Sequence, residues 1–217
     1  MELWQALAAR TTVRSFQSRP VPDAVLDRAL RAALHAPAYN HLWEWGFIRV
    51  LDPDARRRLV EALGVRDWTD REQLRRMFDP LPEEARKVYL AACPVQRRMM
   101  LSAPELLVVV YRTKLHESSP ASPADLNAHA AIWMGVAYLL LALAEEGVHG
   151  CTNPPGPTTA ARPLLDLPPD WEIATLLPIG YPRSRPRRRP HPVDPAPFLH
   201  LNTFGGFSLP TTPEQMG

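Results

Sequence analysis

A chain of 217 residues corresponds to about 1.4 ordinary domains, which argues against two independent globular halves. With 46% hydrophobic and 22% charged residues it can bury a core, so disorder of the whole chain is excluded. A formal charge of +2 is too mild for nucleic acid to be the default partner, and two cysteines, Cys93 and Cys151, make no disulfide framework. Two oddities remain: 25 prolines, about twice the ordinary frequency of roughly 5%, and a basic complement in which Lys87 and Lys114 are the only lysines.

The first predicted element is a short helix over 2–9. It contains no apolar run of the secretory type, so no export is expected and a cytoplasmic location follows. From Asp23 the residues Leu26, Ala29, Leu30, Ala33 and Leu34 repeat with helical period, and Ala36-Pro37 ends that helix because the residue before proline avoids the helical region. Phe47 to Leu51 reads as a short strand. Asp52 then caps a helix that has Pro53 in its first turn and Gly64 as its stop. Residues 66–101 are charged, helical in period and broken by Pro80, Pro82 and Pro94, which predicts short helices forming an insertion.

Glu105 to Tyr111 is a continuous apolar run suited to the middle of a sheet. A helix is expected over 123–146. Nineteen residues from Leu126 to Ala144 lack Asp, Glu, Lys and Arg, close to the roughly 20 that span a bilayer. Acidic flanks and the interior Asn127 and His129 favour a central helix buried in the fold or between subunits. A short strand around 148–151, a helix near 158–166 and a strand around 172–179 follow. After Gly180 proline and arginine dominate, so 181–217 is expected to be an extended arm. Long helices with a few non-adjacent strands imply an α+β fold, a sheet covered by helices, in one domain over 1–217.

Four clusters could carry chemistry. Arg10-Thr11-Thr12-Val13-Arg14 places two guanidinium forks and hydroxyl donors in one small volume, which suits a phosphate monoester. The loop Pro37-Ala38-Tyr39-Asn40-His41 carries amide and imidazole groups between helix and strand. The third is the turn from Gly147 to Pro157, and the fourth the arginine run at 183–189. Trp43 and Trp45 read as packing residues, and Cys151 as a small buried cysteine rather than a redox thiol.

Taken in this order the clusters resemble the FMN-dependent nitroreductase family. Its R-x-S-x-R-x-F opening stands here as Arg10, Thr12, Arg14 and Phe16; its A-P-S and W-x-F elements as Ala36-Pro37-Ala38 and Trp45-Gly46-Phe47. The apolar strand, the helix ending at Glu146-Gly147, the Pro178-Ile179-Gly180-Tyr181-Pro182 stretch and an Arg-Arg-Pro near the end also match.

The resemblance implies a three-layer α-β-α sandwich with a mostly antiparallel central sheet. It also implies a homodimer binding FMN between subunits, with NADH or NADPH as donor and a small electron-poor molecule as acceptor. By that resemblance Arg10, Thr11, Thr12 and Arg14, with Arg188 or Arg189, would hold the FMN phosphate. Pro37, Ala38, Tyr39, Asn40 and His41 would line the flavin ring, and a backbone N–H near Gly150, Cys151 and Thr152 would face N5. No side chain need act as nucleophile or acid, no metal is called for, and neither nucleic acid nor membrane is expected as a partner. The 66–101 insertion would form either a lid over the flavin or an amphipathic helical cover packing its apolar groups on the core. Thr12 and Ala38 stand where the family has serine, and His41 and Trp43 where many relatives have Asn and Gln. A flavin-binding protein without turnover, or a flavin-fragmenting, dehalogenating or dehydrogenating specialist, are the alternatives.

Overall fold

The computed structural model describes residues 2–66, 68, 70–113, 126–186, 195, 198–200 and 202–204. The chain separates into two units, 1–186 and 187–217. In the second, a turn is closed by the Phe198 N–H donating to Pro195 O, and the rings of His200 and Phe204 lie 4.4 Å apart. All that follows concerns the first.

The apolar run at 105 forms strand β2, Glu105–Arg112, buried from Glu105 to Val110. Burial on both faces is what a centre strand demands. It pairs antiparallel with β1, Trp45–Arg49, and with β4, Trp171–Gly180; β4 in turn pairs antiparallel with β3, His149–Gly150. The sheet order is therefore β1-β2-β4-β3, which makes β1 and β3 the two edges. Strand β1 begins and ends two residues before its predicted bounds, because Trp45 and Gly46 already pair with Tyr111 and Val110.

Helices cover both faces. Leu107, Val109, Leu177 and Ile179 face one way, toward α2 (Asp23–Leu34) and α7 (Asn127–Glu145), with Leu26, Ala29, Ile132, Leu139 and Leu143 filling that layer. Leu106, Val108, Val110 and Leu176 face the other way, toward Leu59 and Val60 of α3 (Pro53–Ala62) and Met99 and Met100 of α6 (Gln96–Ser102). The two-residue alternation of β2 thus builds both cores. A bulge opposite Val109/Val110 re-phases β4, so that Ile173 joins the second core, where unbroken alternation would put it with Leu177.

Helix α7 is long and apolar enough to cross a membrane. Here one side of it packs on α2 and the sheet, while Met134 and Tyr138 remain exposed on the other. At its start the Trp133 Nε1–H donates to His129 Nε2 at 3.0 Å, and the His129 ring lies 4.9 Å from that of Tyr111. Burial pushes the imidazole below its ordinary value of 6.5. The unfolded chain therefore takes up the proton first, and stability should fall as pH drops from about 6.5 toward the lowered value. His129→Gln, which keeps an acceptor for Trp133, should flatten that part of a pH–stability curve measured by denaturant unfolding. An unchanged slope would assign the dependence to other groups.

The predicted helix at 158–166 is instead a four-residue 3-10 turn, Arg162–Leu165. Pro163 removes a backbone donor, and Asp166, at φ 48°, ends the turn in the left-handed region. The 66–101 stretch does break into short helices, α4 (Arg71–Phe78), α5 (Glu83–Ala92) and α6. The Phe78 and Tyr89 rings stack at 4.8 Å and join α4 to α5, whereas α6 is part of the core layer with α3.

At one end of the sheet, Arg49 donates from Nε and Nη2 to both oxygens of Glu105, each at 2.7 Å, and from Nη1 to Asp23 at 2.8 Å. Nearby, the buried Arg56 donates to the carbonyls of Ala103 and Val50. Its burial lowers its pKa while Glu105 opposes that shift. One carboxylate thus serves two guanidinium groups. The paired Arg49 is in turn raised above its ordinary value, chiefly by the bond to Glu105.

Candidate functional site

Helix α1, Leu3–Ala9, ends at Arg10, and the chain then runs extended. Val13 and Phe16 are both buried in the second core. Anchors three residues apart leave Arg14 and Ser15 exposed between them. Thr12 forms a parallel bridge with Gly150, and the Val13 N–H donates to Gly150 O at 3.2 Å. The segment therefore lies along the free edge of β3, so the structure brings Arg10, Thr11, Thr12 and Arg14 together with Gly150, Cys151 and Thr152.

The turn after β3 alternates. Cys151 and Asn153 donate their N–H groups inward, to Pro178 O and Leu176 O, as neighbours in an antiparallel ladder do. The Cys151 N–H is thus engaged, and alternation turns that of Thr152 to the outer side. Gly150 is required by close packing: a Cβ there would stand 3.1 Å from Pro178 O and 3.2 Å from Leu177 Cδ1. The Cys151 thiol is buried, which raises its pKa, and the Arg14 guanidinium pulls it only partly back. That is an unreactive cysteine.

The second predicted cluster lies elsewhere. Tyr39–His41 forms a 3-10 turn leading into β1, with Asn40 at φ 50° and His41 at φ 56°. Two consecutive non-glycine residues in the left-handed region store strain, of order 1–3 kcal/mol each. Pro37, Tyr39, Asn40 and His41 are exposed and Ala38 half-buried. Trp45 packs in the core as expected, but Trp43 does not: it is 52% exposed, with its ring 6.5 Å from that of His41.

Gly150 stands level with Ile179 and Glu105 at one end of the sheet, and Trp45 level with Tyr111 at the other. Six residues of strand and three inter-strand steps separate these corners, about 20 Å by about 14 Å. Within one chain the 10–14 and 37–41 clusters thus leave the sheet from diagonally opposite corners. Arg188 and Arg189 lie outside the described residues.

A feature missed by sequence reasoning joins the first cluster. Residues 181–183, expected to open the arm, pair with 15–17: the Gln17 N–H donates to Tyr181 O at 2.9 Å and the Arg183 N–H to Ser15 O at 3.0 Å. Gly180 permits this. A Cβ there would meet Pro104 Cδ at 2.7 Å and Phe16 Cδ1 at 3.1 Å. Gly180→Ala should cost about 1–3 kcal/mol by overpacking, read as a lower denaturation midpoint; wild-type stability would show that Pro104 and Phe16 yield freely.

Helical layers pack on both faces of a four-stranded sheet, and a guanidinium-and-hydroxyl segment runs along its β3 edge. The chain belongs to the nitroreductase family, whose sequence profile matches residues 7–181, and it is accordingly an oxidoreductase of that family. It is 26% identical over 188 residues to an iodotyrosine deiodinase of Haliscomenobacter hydrossis, covering 83% of this chain and 79% of that protein. To iodotyrosine deiodinase 1 of Rattus norvegicus it is 28% identical over 198 residues, covering 83% of this chain and 62% of the rat protein.

Among solved structures, an iodotyrosine deiodinase bound to FMN and 3-iodo-L-tyrosine superposes with a TM-score of 0.70 at 23% identity, over 94% of this chain and all of the other. An FMN-dependent nitroreductase from Clostridium difficile gives 0.66 at 17% identity, over 93% of this chain and 100% of the other. At these identities the structural likeness speaks for the fold.

Proposed function

We propose that the protein is an FMN-dependent oxidoreductase that takes hydride from NADH or NADPH and reduces a small electron-poor acceptor such as a nitroaromatic, quinone or enone. The observation that carries this reading is the edge-strand cluster. Among the described residues no carboxylate lies within ion-pair distance of Arg10 or Arg14, so their charge is available to an anion. This donor set fits the flavin's phosphate. When bound, FMN supplies reversible two-electron chemistry with hydride accepted at N5.

Arg10, Thr12 and Arg14 grip the phosphate with charge-assisted bonds, and the outward Thr152 N–H is the backbone donor toward the ring. Residues 37–41 serve the ring of a flavin held by a second copy, since the two clusters sit at opposite corners. Support for that homodimer comes from apolar surface on adjoining helices. Trp4 of α1 is 81% exposed, beside Leu3 and Leu7, and Met134 and Tyr138 lie on the open side of α7. Protons come from solvent, and the cytoplasm suits the free thiols Cys93 and Cys151.

A second reading is favoured by the relatives named as deiodinases: reductive dehalogenation of a halogenated phenol. Two electrons and one proton replace the carbon–halogen bond with carbon–hydrogen and release halide. The purified protein should show an oxidised-flavin spectrum, releasing FMN on denaturation; colourless protein that fails to take up FMN would sink both readings. NAD(P)H oxidation with a quinone supports the first. Iodide release from 3-iodo-L-tyrosine under dithionite supports the second. A yellow protein inert in both assays is a flavin-binding protein without turnover.

A further inference from the structure

We propose that the groove where β1 ends and β2 begins, lined by Leu51, Pro53, Arg56, Arg57, Leu101 and Pro104, is a binding site for an organic monocarboxylate with an aliphatic body. In the strand order it lies on the β1 side, opposite the β3 edge that carries residues 10–14, so it is independent of the flavin reading.

The groove encloses about 430 Å³, within the range of roughly 300–1,000 Å³ that small-molecule pockets occupy. Its lining divides by chemistry. Leu51, Pro53, Leu101 and Pro104 are apolar, and the two polar side chains are both guanidinium groups. Donors beside aliphatic surface match a ligand that brings acceptors and a hydrocarbon body. Leu51 stands 67% exposed between β1 and α3, and an occupying hydrocarbon would take it out of water.

Arg56 supplies buried charge. The residue is 8% exposed, and its Nη1 and Nη2 donate to the carbonyls of Ala103 and Val50 at 2.6 and 3.0 Å. Its Nε has no partner among the described residues. Carbonyl oxygens carry no net charge, and Glu105, the carboxylate that balances Arg56, has both oxygens bonded to Arg49. A buried cation with one orphaned donor and a shared counter-ion is stabilised by an anion that settles near it.

Arg57 is placed to receive that anion. Its Nη1 pairs with Asp54 at 2.9 Å, but both side chains are mostly exposed, and such a pair contributes little. An incoming carboxylate can therefore share or displace Asp54 and take the rest of the Arg57 fork. Asp52, the other acid at this turn, is committed to the Ala55 N–H as the cap of α3. Leu59 and Val60 of α3 and Met99 and Met100 of α6 anchor both walls in the second core, so the groove exists before the ligand binds.

The test is calorimetric titration of octanoate into the purified protein, with and without added FMN. Octan-1-ol and octylammonium serve as ligands with the same chain and no negative charge. Wild type should bind one octanoate per chain, with the same affinity in both conditions, and neither comparison ligand. Arg57→Gln should weaken octanoate roughly tenfold or more, and Leu51→Ser roughly threefold or more. Both side chains are exposed, so these variants should fold as wild type does. Arg58→Gln, on the same helix but outside the groove, should leave the affinity unchanged. The proposal is overturned if octanoate gives no saturable heat, if octan-1-ol binds as tightly, or if either groove variant keeps wild-type affinity. Octanoate binding that weakens as FMN is added would belong to the flavin site and would overturn it too.

Discussion

Glu105→Ala should destabilise the protein by about 3–5 kcal/mol, the cost of breaking a buried ion pair by removing one partner. Glu105 is 6% exposed and accepts both bonds of the Arg49 fork. Without it Arg49 retains the bond to the exposed Asp23, but Arg56, tied only to carbonyls, loses the carboxylate that balances its buried charge. The consequence reaches past the pair, because Arg49 ends β1, Glu105 begins β2 and Arg56 belongs to α3. Urea unfolding is the measurement, and Glu105→Gln should fall between wild type and Glu105→Ala. A loss below about 1 kcal/mol would show that Asp23 suffices and that the second guanidinium needs no counter-charge.

The second large effect concerns ligand affinity. Arg10→Ala and Arg14→Ala should each weaken FMN by about 10- to 150-fold, since a hydrogen bond to a charged group is worth about 1.5–3 kcal/mol. Riboflavin, titrated in parallel, should be unaffected. Arg14 is exposed and Arg10 half-buried, and neither belongs to the core, so thermal stability without flavin should change little. A parallel loss for both flavins would mean that these arginines shape the edge of the fold instead of gripping a phosphate.

Much of the fold was legible because it depends on period and punctuation. The apolar run at 105, the amphipathic repeat of α2 and the Asp52-Pro53 start of α3 were each decided by neighbouring residues, and tertiary structure agrees with them. The stretch at 158–166 was misread because composition there allows a helix, while prolines and the left-handed Asp166 permit only a tight turn. The pairing of Arg183 was hidden for another reason. In sequence it belongs to an arginine-rich tail, and only its pairing with Ser15, 168 positions earlier, sets it apart.

The site shows the same division. Residues 10–14 stood out as a candidate by local chemistry, and the structure adds the strand edge on which they lie. The choice among backbone donors at 150–152 depends on ladder alternation, which pattern alone does not reveal. The strain at Asn40 and His41 is likewise a property of the folded backbone, because neither residue type demands a positive φ. That the 37–41 loop lies diagonally across the sheet from residues 10–14 could not be read from spacing at all.

That diagonal has a bearing on how the protein should be handled. In the proposed homodimer, a ring pocket completed by a second copy would make colour depend on concentration, because cofactor retention and subunit association would become a single linked equilibrium. Concentrated samples should stay yellow through gel filtration, whereas extended dilution should bleach them as subunits part and flavin escapes. Added FMN should drive the same equilibrium backwards, and a preparation that begins colourless should gain both its absorbance and its larger size together.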